Sequence, residues 1–95
     1  MELEFDGEVI GWRGPSPFVF VAVPGPECAE LEAVSPLASY GWGCIPVTAR
    51  LGRTAFRTSL FPKDGGYLLP LKVAVRRAEG VDVGDLVRVR MSVAL

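Results

Sequence analysis

Histidine is missing from all 95 residues. Imidazole is the side chain whose charge changes nearest neutral pH and the commonest neutral metal ligand. Without it the usual general base and most zinc-site designs are excluded. Cysteine is scarce, with only Cys28 and Cys44. They lack Cys-x-x-Cys spacing and follow no export signal, so two reduced, buried thiols are expected rather than a disulfide, a metal site or a nucleophile. Long hydrophobic runs are absent: the uncharged stretch from Ala33 to Ala49 is broken by Pro36, Gly41, Gly43 and Pro46, which excludes a membrane-spanning helix. The first residues, Met-Glu-Leu-Glu-Phe-Asp, are acidic where a secretory signal is basic and then apolar, so a cytoplasmic location is expected. Phosphate-binding glycine loops are lacking too. "GWRGPSP" and "SYGWG" have neither the spacing nor the following helix that such a loop requires.

What is present suffices for one small core. The chain is 49% hydrophobic and 22% charged, which excludes disorder and predicts a single domain over residues 1–95. The net charge of −1 conceals an asymmetry. Residues 1–49 carry seven acids and one base, and residues 50–95 carry nine bases and four acids. If the halves form separate faces, the basic one attracts anions. If they interleave, the charges cancel in cross-strand pairs.

Residues 2–12 alternate Leu3, Phe5 and Val9 against Glu4, Asp6 and Glu8, as a half-buried strand does, with Gly7 expected at a bulge. "GPSP" at 14–17 is turn chemistry, and "FVFVAV" at 18–23 is apolar on both faces, so a cover is expected over it. The expected cover is a helix over 26–39 that places Cys28, Leu31 and Val34, with Leu37 as a further candidate, on one face, and Pro36 is expected to end or kink it near Val34. "CIPVTARL" and "TAFRTSLF" then alternate about Gly52 and Arg53, forming a hairpin that points Ile45, Val47, Ala49, Leu51, Thr54, Phe56, Thr58 and Leu60 inward. Asp64-Gly65 marks a second hairpin turn before "YLLPL". From Leu71 the period changes: Leu71, Ala74, Val75 and Ala78 fit a two-turn helix ending at Gly80. "VDVGD" turns again, and "LVRVRMSV" is a last alternating strand. Six short strands and two short helices predict a mainly β fold: a closed or nearly closed six-stranded antiparallel barrel with a helical lid.

The candidate site residues are few. Arg50, Arg53 and Arg57 share the outward face of the first hairpin, and Lys72 and Arg76 lie at i, i+4. Such cations could hold a phosphate, a carboxylate or a nucleic-acid backbone, or they could be solvated while Glu4, Asp6 and Glu8 pair with Arg88 and Arg90. Trp12 and Trp42 are glycine-flanked, which lets a ligand or another chain approach the indole, and both could line one barrel opening. Asp64, Asp82 and Asp85 read as turn residues.

The blocks "FDGEVIGWRGPSPFVFVAVP", "YGWGCIPVTARLGRTAFRTSLFPKDGGYLLPLK" and "VRRAEGVDVGDLVRVRM" resemble a bacterial family, domain of unknown function 1905, over nearly the whole chain. The resemblance implies a small β-barrel and carries over no activity, cofactor or catalytic residue. The expected function is a non-enzymatic binding or interaction module for a small anionic ligand or a protein partner. It would act as a monomer or small homo-oligomer, without metal, cofactor or membrane. A nucleic-acid-binding barrel, suggested by the basic second half and the "GVDVGDLVRVRM" ending, is the alternative, although a pI near 5.3 disfavours nucleic acid. A hydrolase or transferase using Cys44 or Asp64 is the third.

Overall fold

A computed structural model describes residues 1–12 and 18–95, the side chain of Trp12 excepted. The chain order is β1 (Glu2–Trp12), β2 (Phe18–Ala22), α1 (Gly25–Ala38), β3 (Ile45–Leu51), β4 (Thr54–Lys63), β5 (Gly66–Pro70), α2 (Val73–Glu79) and β6 (Leu86–Val93). The expected turn at 14–17 lies outside the described residues.

The strands close into an antiparallel barrel in the order β1-β2-β5-β4-β3-β6. Alternation sets the faces. Leu3, Phe5 and Val9 of β1, Ile45, Val47, Ala49 and Leu51 of β3, and Val89, Met91 and Val93 of β6 all point into one core. On β4, Phe56 and Leu60 are buried, whereas the threonines at 54 and 58 are half-buried. The two hairpin turns fall where expected. Asp64 (φ 51°) and Gly65 (φ 79°) both adopt positive φ, the signature of the type I′ turn that matches strand twist.

β1 serves two neighbours. Glu2 to Glu8 pair with β6, in register Glu2↔Ser92 through Glu8↔Leu86, and Val9 to Trp12 pair with β2, in register Val9↔Val21 through Trp12↔Phe18. No residue is inserted at Gly7, which sits opposite Val87, so the expected bulge is not there. Glycine is needed for a different reason. A Cβ at position 7 would stand 2.5 Å from Val21 Cγ1 and 2.7 Å from the Ala22 carbonyl oxygen, because the two strands cross closely where β1 changes partner.

α1 packs on β3 and β5 rather than lying over the outer face of β2. It carries Leu31 fully buried and Cys28 buried, the former contributing roughly 1.5–3 kcal/mol of apolar burial. Pro36 does not end the helix near Val34; α1 continues to Ala38. Proline removes a single N–H and is tolerated in this last turn, which Ser39 closes by donating both its N–H (2.9 Å) and its hydroxyl (2.6 Å) to the Ser35 carbonyl. Cys44 is half-buried, and both cysteines are free thiols.

α2 begins at Val73, later than the periodicity from Leu71 predicts. Val75 is buried, while Ala74 and Ala78 are not. Gly80, at φ 63°, terminates it in the left-handed conformation. The helix packs against β4, and its last residue, Glu79, accepts hydrogen bonds from the Thr54 hydroxyl at 2.6 Å and the Arg53 N–H at 3.4 Å.

Candidate functional site

The barrel axis is filled. Val9, Leu60, Leu69, Val89 and Met91 are almost fully buried, and no polar or charged residue is buried among the described residues. On its outside the described barrel presents two unlike walls.

The first wall is charged and spans β1, β6, β3 and β4. Register sets Glu4 and Arg50 on either side of Arg90, and Asp6 opposite Arg88. Arg88 reaches Glu4 at 2.9 Å and Asp6 at 2.8 Å, while Arg90 Nε meets Glu4 at 2.7 Å. The Arg90 hydrogen bond, helped by the charges of Arg90 and Arg88, holds the Glu4 carboxyl below the ordinary value of 4.5 against a smaller desolvation effect. The acidic first half and the basic second half thus interleave along the β1–β6 seam. The neutralisation stops at β6. Arg50, Arg53 and Arg57 are exposed, and among the described residues no acid lies within ion-pair distance of their guanidinium groups.

The remaining sequence candidates lie elsewhere. Lys72 is exposed at the start of α2, and Arg76 pairs with Asp82 at 3.6 Å. Asp82 and Asp85 are turn residues as expected: Asp85 Oδ2 accepts the Asp82 N–H and Asp82 Oδ1 accepts the Val83 N–H, each at 2.8 Å. Trp42 is 95% exposed on the loop between α1 and β3. The side chain of Trp12 lies outside the described residues. The structure brings Arg50 and Arg57 onto one wall, and Trp42, Lys72 and Arg76 lie apart from it among the described residues; the expectation that Trp12 and Trp42 line one opening lies outside the described residues.

The second wall is apolar and spans the end of β1 with β2, β5 and β4. Register aligns Ile10 with Phe20, Phe20 with Pro70, and Phe61 with Leu68. Phe20 and Leu68 are buried yet stand apart from the central core cluster, because they pack on the outside of the sheet. Phe20 is covered by its neighbours instead of by a helix. The Phe61 ring stands edge-on at 5.2 Å between centroids, and that of Phe18 is tilted at 6.3 Å. Phe18, Phe20, Phe61 and Pro70 line a depression of about 450 Å³, with Phe18 59% exposed. Sequence reasoning missed these four as site residues. The signal was present in the doubly apolar "FVFVAV" and in Phe61 and Pro70 following inward leucines, but it reads equally well as a strand covered on both sides.

The fold is a closed six-stranded antiparallel β-barrel with two helices and an apolar core. The chain belongs to the family described as domain of unknown function DUF1905, whose model matches residues 5–91. No curated protein matches the sequence significantly.

Proposed function

We propose that this protein is a non-enzymatic binding module that engages a polypeptide partner through the aromatic outer wall. The observation that carries this reading is the depression lined, among the described residues, by Phe18, Phe20, Phe61 and Pro70, with Phe18 59% exposed on a wall that neither α1 nor α2 covers. Phe18 stands exposed beside the half-buried Phe61 and Pro70, and an aromatic left in water next to other apolar side chains supports a contact surface. Its described lining is apolar, so it suits apolar side chains of a partner better than a small anion. The test is site-specific photo-crosslinking, with a benzophenone amino acid at position 18 and, as control, at exposed position 57. Discrete adducts at 18 that are absent at 57 support the reading; identical patterns at both positions overturn it.

A second reading rests on the unpaired Arg50 and Arg57, which flank the charged wall beside Arg90. These cations suit an anionic polymer. Binding to duplex DNA that weakens steeply as salt rises would favour it, and salt-insensitive or absent binding would remove it.

A further inference from the structure

We propose that the aromatic wall is covered by Trp42 of a second copy of this chain. The inference rests on the wall being the contact surface and names its occupant.

The first argument is the state of Trp42. The loop around it is tightly closed: the Tyr40 N–H donates to the Cys44 carbonyl at 2.9 Å, and the Gly43 and Cys44 N–H groups donate to the Tyr40 carbonyl at 3.1 Å. Gly41 (φ 57°) and Gly43 (φ 93°) supply the positive φ values of the turn. The hydroxyls of Tyr40 and Ser59, 3.0 Å apart, tie its base to β4. The backbone that carries the indole is therefore already ordered, and only its two side-chain torsions remain to be fixed on contact. At 95% exposure it does not fill the depression of its own molecule.

The second argument is charge complementarity. The Phe20↔Pro70 register continues one step through the Leu71 N–H, which donates to the Val19 carbonyl at 2.9 Å, so Lys72 falls opposite Phe18 at the rim of the wall. Lys72 is exposed, and no acid pairs with it among the described residues. On the other side of the contact, Glu32 of α1 and Gly43, the neighbour of Trp42, line one shared depression. α1 carries Glu27, Glu30 and Glu32 and no base. Seating the indole among Phe18, Phe20 and Phe61 therefore brings an acidic helix toward an unpaired lysine. Indole is also the right chemistry for the pocket, since tilted and edge-on ring contacts are what the three phenylalanines already make with one another.

The area sets the strength. A tryptophan buries roughly 150–250 Å². Even doubled by the wall it meets, and enlarged by its flanks, this stays below the roughly 1,200 Å² of a standard interface. Association is thus expected to be weak, with a Kd of roughly 100 μM or more, as for transient contacts of small area. The contact is heterologous, an anchor on one copy and a wall on the other.

Sedimentation velocity across a concentration series reaching about 1 mM tests it. Wild type is expected to self-associate, whereas Trp42→Ala and Phe18→Ser each remain monomeric, their folding checked by circular dichroism. Mixing the two variants is expected to restore a one-to-one heterodimer, because each retains the half the other lacks. Lys72→Glu should weaken association about threefold, and Lys72→Glu with Glu32→Lys should recover it. A monomeric wild type, a Trp42→Ala variant that associates like wild type, or a mixture that stays monomeric overturns the proposal. If self-association fails while the benzophenone at position 18 still gives discrete adducts with other proteins, only the occupant is wrong. If both fail, the wall is not the contact surface.

Discussion

Gly7→Ala adds a single methyl group at the place where β1 leaves β6 for β2. That methyl would lie 2.5 Å from Val21 Cγ1 and 2.7 Å from the Ala22 carbonyl oxygen. The first contact is about 1 Å inside the roughly 3.5 Å at which carbon atoms pack favourably. Val21 is fully buried, and the Ala22 oxygen is backbone, so relief requires one strand to shift against the other. Overpacking costs roughly 1–3 kcal/mol, and a collision with backbone belongs at the upper end. The smaller conformational freedom of alanine in the unfolded chain returns about 0.4–1 kcal/mol. The net expectation is a loss of about 2 kcal/mol, or a fall in Tm of about 8–16 °C for a domain of this size. Calorimetry and urea denaturation measure it. Gly25→Ala serves as control, since nothing lies within 4 Å of a Cβ there, and should stay within about 0.5 kcal/mol of wild type. In a double-mutant cycle, Val21→Ala should recover part of the Gly7→Ala cost, because it removes one of the colliding atoms. A Gly7→Ala protein that melts within about 2 °C of wild type would refute the close crossing.

Two other perturbations probe separate parts of the fold. Glu79→Ala removes the acceptor shared by the Thr54 hydroxyl and the Arg53 N–H and is expected to cost about 1–2 kcal/mol in urea denaturation, with Glu79→Gln costing less; equal losses for the two would show that the hydrogen bonds do not matter. Arg90, then Arg88, depress the folded-state pKa of Glu4 below 4.5, so the contribution of this cluster to stability is complete above that ordinary value and is lost as pH falls through the folded one. A carbon-detected NMR titration should place the Glu4 carboxyl below 4.5 and show it rising in Arg90→Ala, and a titration at or above 4.5 in wild type would contradict the pairing.

Legibility in the sequence followed the range of the forces involved. The inward set of Ile45, Val47, Ala49 and Leu51, the Asp64-Gly65 turn and the Gly80 helix end depend on consecutive residues and their own φ and ψ, so each is readable from the order of residues alone. Gly7 is recognisable as unusual, but a strand crossing and a bulge both call for a missing side chain, and only the position of Val21 and Ala22 decides between them. Pro36 misleads because a proline marks a weakened hydrogen bond without saying that Ser39 and Ser35 will close the turn beyond it.

The candidate site divides in the same way. The seven candidate residues are conspicuous in the sequence as types, a glycine-flanked indole or an outward arginine, yet the barrel places those it describes on different surfaces. By itself the sequence determined the strand alternation, the hairpin turns, the Gly80 helix end and the outward set of hairpin arginines, all consequences of short-range sterics and of alternation between water and core; that Trp42 is exposed and the barrel axis filled came only with the structure. Only the tertiary structure decided that β2, β5 and β4 lie side by side, so that Phe18, Phe20, Phe61 and Pro70 form one outer wall, and that Arg90 is engaged by Glu4 while Arg50 is not. Neighbourhood across a sheet is set by barrel closure, a cooperative choice among all the strands, and no local stretch of residues encodes it.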